Sequence, residues 1–148
     1  MSNKITDYAL ALAESLDAYT FTATALQPDV LYDHWPTYDA EDMADTVIAV
    51  VPGGIEVTRT ARGLQQYDYL VNVFVGRRVA NTAQGDAVSD LCEEVQDAIW
   101  AHAWDEAVTW PAGSSSPMTI ETALNPEDGL AERNAWRAVL TVTYRSFR

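Results

Sequence analysis

The stretch TVIAVVPGGIEVTRTARGLQQYDYLVNVFVGRRV, residues 46–79, decides the fold. Over residues 66–79 the chain alternates with period two. Tyr67, Tyr69, Val71, Val73 and Val75 share one face, and Asp68, Leu70, Asn72, Phe74 and Gly76 share the other. Both faces are partly apolar, which predicts a strand at the centre of its sheet. Upstream, residues 46–51 and 55–60 are β-branched runs flanking Pro52-Gly53-Gly54. Proline presets one turn dihedral and glycine permits positive φ, so this spacing predicts a hairpin that turns at Pro52, Gly53 and Gly54.

A sheet with an apolar face needs a cover, and the flanking sequence supplies two amphipathic helices. Ile5, Tyr8, Ala9, Leu12 and Leu16 recur at helical spacing with Asp7 and Glu14 opposite, predicting a helix over about residues 4–17. Residues 19–26 alternate, Phe21, Ala23 and Ala25 against Thr20, Thr22 and Thr24, which predicts a strand ended by Pro28. Residues 27–45 then read as a long extended connection, with Tyr32, Trp35 and Tyr38 either tucked onto the core or offered to a partner. After a turn-like stretch at 81–85, Val88, Leu91, Cys92, Val95, Ala98, Ile99 and His102 form the stripe of a second helix ending near Trp104, with Asp86 as its N-cap or first-turn acid. Residues 113–117 read as a surface loop, 118–125 as a strand, 126–134 as a polar connection and 135–147 as a long last strand. In that strand Trp136, Ala138, Leu140, Val142 and Tyr144 point inward. With the two arms about Pro52-Gly53-Gly54 sharing one place, the order is α-β-β-β-α-β-β. The fold class is α+β, a mainly antiparallel sheet with two helices on one face.

The 148 residues, 48% of them hydrophobic, suffice for one core, so residues 1–148 read as a single domain. The first residues lack the basic and apolar regions of an export signal, and no apolar run approaches a membrane span, which together predict a soluble chain. The single cysteine, Cys92, has no partner for an internal disulfide and reads as a small buried hydrophobe. A net charge of −13 argues against a surface that grips nucleic acid, because phosphate needs Lys and Arg. The charge is also segregated. Lys4 is the only basic residue before Arg59, while Arg59, Arg62, Arg77, Arg78, Arg133, Arg137, Arg145 and Arg148 follow. An acidic region of one subunit could therefore meet a neighbour's arginines, although solvated surface faces are the commoner explanation.

No constellation rises to a catalytic, cofactor or metal site. The Pro52-Gly53-Gly54 run lacks the spacing of a phosphate loop. Asp39, Glu41, Asp42 and Asp45 lack the spacing of a calcium loop and read as a solvated acidic segment. His34, His102 and Ser114–Ser116 supply the residue types of a hydrolase without a nucleophile elbow. Two distant histidines and one cysteine make a poor zinc set. The five tryptophans, among them Trp100, Trp104, Trp110 and Trp136, read as packing residues within or between subunits.

The run from Val47 through Pro52-Gly53-Gly54-Ile55-Glu56, then Arg59, Arg62-Gly63, and Gln66-Tyr67-Asp68-Tyr69 leading into Val71-Asn72-Val73-Phe74-Val75, resembles small neck and tail-completion proteins of bacteriophages. The helix from Asp90 to Ile99 and the long last strand follow in the order of tail terminators of long-tailed phages. The resemblance covers residues 45–105 in detail and the rest in element order. It implies a non-enzymatic, cofactor-free virion protein at the tail–neck junction, made in the host cytoplasm and not associated with membrane. Its partners would be five further copies in a homohexameric ring, the tail tube protein that the ring caps and stops growing, and the head-side connector. DNA would pass through the ring without specific binding, and the net charge of −13, rather than the resemblance, suggests an acidic lumen.

Open sheet edges favour such a ring independently, since a head-to-tail contact repeated about an axis closes. The expected contact residues are Tyr32, Trp35, Tyr38, Pro52, Gly53, Gly54, Arg59, Arg62, Arg77 and Arg78. The sequence leaves open a head-completion or tube-like subunit of the same assembly. It also leaves open a small hydrolase using His34 or His102, and a sugar- or peptide-binding module built on Trp100, Trp104 and Trp110.

Overall fold

The computed structural model describes residues 5–22, 28–32, 46–78, 82–101, 117, 119–124 and 135–147. The elements follow in the order α1 (Ile5–Ala18), β1 (Asp29–Tyr32), β2 (Val47–Ala61), β3 (Leu64–Arg78), α2 (Thr82–Ala101), β4 (Thr119–Leu124) and β5 (Ala135–Phe147). The strands lie side by side as β1-β2-β3-β5-β4, and only the β1–β2 pair is parallel. The chain is thus α+β with a mainly antiparallel sheet, and β3 occupies the centre that its two partly apolar faces predict.

Both helices cover one face of the sheet. The core beneath them combines Ile48 and Val50 of β2 with Tyr69, Val71, Val73 and Val75 of β3 and Ala138, Leu140, Val142 and Tyr144 of β5. Tyr8, Ala9, Leu12 and Leu16 of α1 and Val88, Leu91, Cys92, Val95, Ala98 and Ile99 of α2 close over it. These are the stripes that the helical and period-two spacings predict. Trp136, expected to point inward with them, has its side chain outside the described residues.

One aromatic fixes where α1 sits. The Tyr8 ring stacks 5.0 Å from Tyr69 and 5.0 Å from Tyr144, which are direct register partners on β3 and β5. Each such pair adds about 0.5–1.5 kcal/mol beyond its buried area.

Three expectations are corrected. Pro52, Gly53 and Gly54 do not turn the chain: β2 runs through them, and the hairpin turn falls at Arg62-Gly63, where Gly63 takes a φ of 77°. Pro52 pairs with Val71 and Gly54 with Leu70, so Gly53 is the extra residue of a β-bulge. A proline is tolerated there because β1 pairs only with Val47–Val50, and among the described residues no strand lies against the outer edge of β2 at Pro52.

The strand expected over 19–26 is not formed in its described part. Tyr19 packs edge-to-face on Phe21 at 4.8 Å, and the Thr22 backbone N–H donates to Glu94 Oε1 of α2 at 2.6 Å rather than to a ladder. The first strand lies instead at Asp29–Tyr32, just after Pro28 and inside the stretch read as a connection. Finally, α2 begins at Thr82, so Gly85 is helical and Asp86 sits in the second turn rather than at a cap.

Candidate assembly surface

β2 and β3 each contain 15 residues, which at roughly 3.3 Å per residue makes a ribbon about 50 Å long. A helix of 14 residues spans only about 21 Å, so α1 cannot cover that length. The consequence is visible in the burial of β2. Val47–Val51 are buried, and every residue from Ile55 to Ala61 is exposed. Residues 55–65 therefore form an arm that extends past the helices.

The bulge at Gly53 decides what the arm shows on each side. Before it, Ile48 and Val50 oppose Val75 and Val73 on the helix face; after it, Ile55, Val57 and Arg59 oppose Tyr69, Tyr67 and Gln65. The extra residue changes the phase from even to odd, so Ile55 and Val57 continue the apolar face beyond the point where α1 stops. They remain 52% and 53% exposed. On the other face of the sheet, Leu64 and Phe147 are exposed at the same end. Arg59, Gly63, Leu64 and Gln65 line a shallow recess at the tip.

A polar clasp holds the root of the arm. Asp68 and Arg145 are register partners on β3 and β5. Arg145 donates from Nε to Asp68 Oδ1 at 2.8 Å and from Nη2 to Oδ2 at 3.2 Å, and Gln66 Nε2 donates to Oδ2 at 3.1 Å. The Arg145 hydrogen bonds hold the Asp68 carboxyl below its ordinary pKa, outweighing the upward push of desolvation. On the helix face, Tyr67 Oη donates to Gln65 Oε1 at 2.8 Å.

The expected contact residues do not form one patch. Arg59 and Arg62 lie exposed at the arm's tip, whereas Arg77 and Arg78 end β3, roughly 45 Å away along the strand. The side chains of Arg77 and Arg78 are outside the described residues. Pro52, Gly53 and Gly54 lie at the root of the arm, and Tyr32 is half-buried on β1. Trp35 and Tyr38 lie outside the described residues, as do His34, His102, Ser114–Ser116, Trp104, Trp110 and the acids at 39–45. Sequence reading missed Ile55, Val57, Leu64 and Phe147 as exposed apolar residues. The signal for them was the Arg62-Gly63 dipeptide, which makes both strands long enough to outrun their cover.

The described residues offer little to chemistry. Burial pushes the Cys92 thiol up to about 12, so it is not a nucleophile at neutral pH. Among the described residues there is no group of His, Cys, Asp and Glu that could hold a metal ion, and no helix long and apolar enough to cross a membrane.

No family model and no curated protein matches the chain. Among solved structures, its fold is similar to that of a chain in the virion of a native gene transfer agent (GTA) particle. The two superpose with a TM-score of 0.60 at 16% identity, covering 93% of this chain and 92% of that one. At that identity the likeness is one of fold, and it extends over nearly the whole of both chains.

Proposed function

We propose that this chain is a structural subunit of a phage-like virion, and more specifically a tail terminator. In this reading six copies form a ring that caps the tail tube, ends its elongation and meets the head-side connector at the tail–neck junction. No bond is made or broken, and no cofactor is used. The observation that carries the reading is the end-to-end likeness of fold to a chain of a virion particle. The exposed arm supports it, because a ribbon with apolar residues exposed on both faces and no cover among the described residues suits a protein that works assembled. The net charge of −13 suits a conduit from which DNA must slip without sticking.

The experiment is the mass of the purified protein over a wide concentration range, alone and with tail tubes, followed by electron microscopy of the mixture. A hexamer located at one end of the tube is the expected outcome. A ring at the head portal instead would identify a head-completion subunit, and copies all along the tube a tube protein. A monomer that ignores both would remove the structural reading.

A further inference from the structure

The arm carries arginines on a chain that is otherwise strongly acidic. Residues 55–65 hold Glu56, Arg59 and Arg62, a net +1, so the remaining residues carry −14 of the total −13. Among the described residues neither arginine has an ion-pair partner within its own subunit. Read from tip to root, the arm presents Arg62, Arg59, Val57 and Ile55, the last three on one face. From Arg62 to Ile55 is about 23 Å of strand.

The solvent face of α2 presents a matching row. Asp86, Asp90, Glu93, Asp97 and Trp100 follow at spacings of four, three, four and three, which places them in one stripe opposite the buried one. All five are exposed, including Trp100 at 44%, a large aromatic left in water at the helix's C-terminal end. From Asp86 to Trp100 is about 21 Å of helix. Two rows of nearly equal length thus carry complementary chemistry in the same order, charge at one end and apolar surface at the other.

We infer that the arm of one subunit lies along α2 of the next copy, with Arg59 and Arg62 among Asp86, Asp90 and Glu93, and with Ile55 and Val57 against Trp100. The contact joins two different surfaces of the same chain, so it repeats head to tail, as a closed ring requires. It rests on the proposed ring, and adds to it which surfaces meet and in which direction.

Reciprocal charge reversal tests it. One variant carries Arg59→Glu and Arg62→Glu, the other Asp90→Lys and Glu93→Lys; all four positions are exposed, and circular dichroism checks that each variant folds. Each variant alone places like charges in the contact, and self-association measured by sedimentation should weaken by at least about tenfold. Mixed in equal amounts they can alternate around an even-numbered ring with every contact restored, and the wild-type mass should return. Variants that assemble like wild type, or a mixture that stays dissociated, would overturn this contact while the wild-type ring still forms. Failure of the wild type itself to self-associate, alone or on tail tubes, would overturn the ring and the contact with it.

Discussion

Replacing Gly53 by alanine probes the residue on which the arm's geometry turns. A Cβ at this position would lie 2.8 Å from Asn72 Nδ2, 3.1 Å from Asn72 Cγ and 2.9 Å from the Leu70 carbonyl oxygen. The Asn72 side chain can rotate away, but its Oδ1 accepts a hydrogen bond from Thr141 Oγ1 at 3.1 Å that would then be lost, a cost of about 1 kcal/mol. The Leu70 carbonyl belongs to the backbone of the central strand and cannot retreat without disturbing the β2–β3 ladder. Overpacking of that kind costs about 1–3 kcal/mol. The sum is a loss of about 2–4 kcal/mol, read as a fall in the urea midpoint and a Tm lower by roughly 5–15 °C at fixed protein concentration. Its neighbour is the control. Around Gly54 no atom lies within 4 Å of a built Cβ and φ is not positive, so Gly54→Ala should stay within about 0.5 kcal/mol of wild type or gain slightly. Gly63→Ala meets no atom either, but must hold a φ of 77°, which costs about 1–2 kcal/mol. The expected order of damage is Gly53, then Gly63, then Gly54. A Gly53→Ala protein as stable as wild type, or a Gly54→Ala protein that loses more, would refute the bulge as the close approach described here.

Two further outcomes follow from the electrostatics of single groups. Asp68 has a folded-state pKa below its ordinary 3.8, so it binds a proton less readily folded than unfolded. Its contribution is therefore complete above the ordinary carboxylate pKa and is lost as pH falls through the lower folded value. The difference in urea midpoint between wild type and Asp68→Asn should be constant near neutrality and close in strong acid, and a gap that widens on acidification would contradict the clasp with Arg145. Cys92, buried and raised to about 12, should resist a thiol reagent at pH 8 in the native protein and react as soon as urea unfolds it. Rapid stoichiometric labelling without denaturant would show that α2 does not pack as described.

The elements legible in the sequence are those whose side chains face two environments. α1, α2 and β5 each set an apolar stripe against a polar one and β3 alternates with period two, and most of their buried residues are ones this spacing names; Ala11, Ala13 and Ser15 of α1, Gly76 of β3 and Ser146 of β5 are buried besides. β1 was not legible, because Asp29-Val30-Leu31-Tyr32 is too short to display a period and owes its place to parallel pairing with Val47–Val50. The alternation at 19–26 misled because alanine and threonine barely distinguish a buried face from a wet one, and the Thr22 amide found a carboxylate on a distant helix. Asp86 was misplaced because residues 81–85, ending in Gly85, read as a turn ahead of the helix, although a helix tolerates an interior glycine at a cost of about 0.5–1 kcal/mol when its apolar face is well packed.

The candidate surface divides the same way. Arg59 and Arg62 stood out by charge alone, whereas the row from Asp86 to Trp100 became a surface only once α2 was seen to bury the opposite stripe. By itself the sequence determined the α+β class, the central strand, the two covering helices and the scarcity of basic charge, since each follows from local periodicity and composition. Only the tertiary structure decided that Pro52-Gly53-Gly54 bulges instead of turning. A proline-glycine run is compatible with either, and the choice fell to partners far along the chain: β3 pairs along the whole of β2, and among the described residues no strand pairs with the outer edge of β2 beyond Val50, where a proline is tolerated.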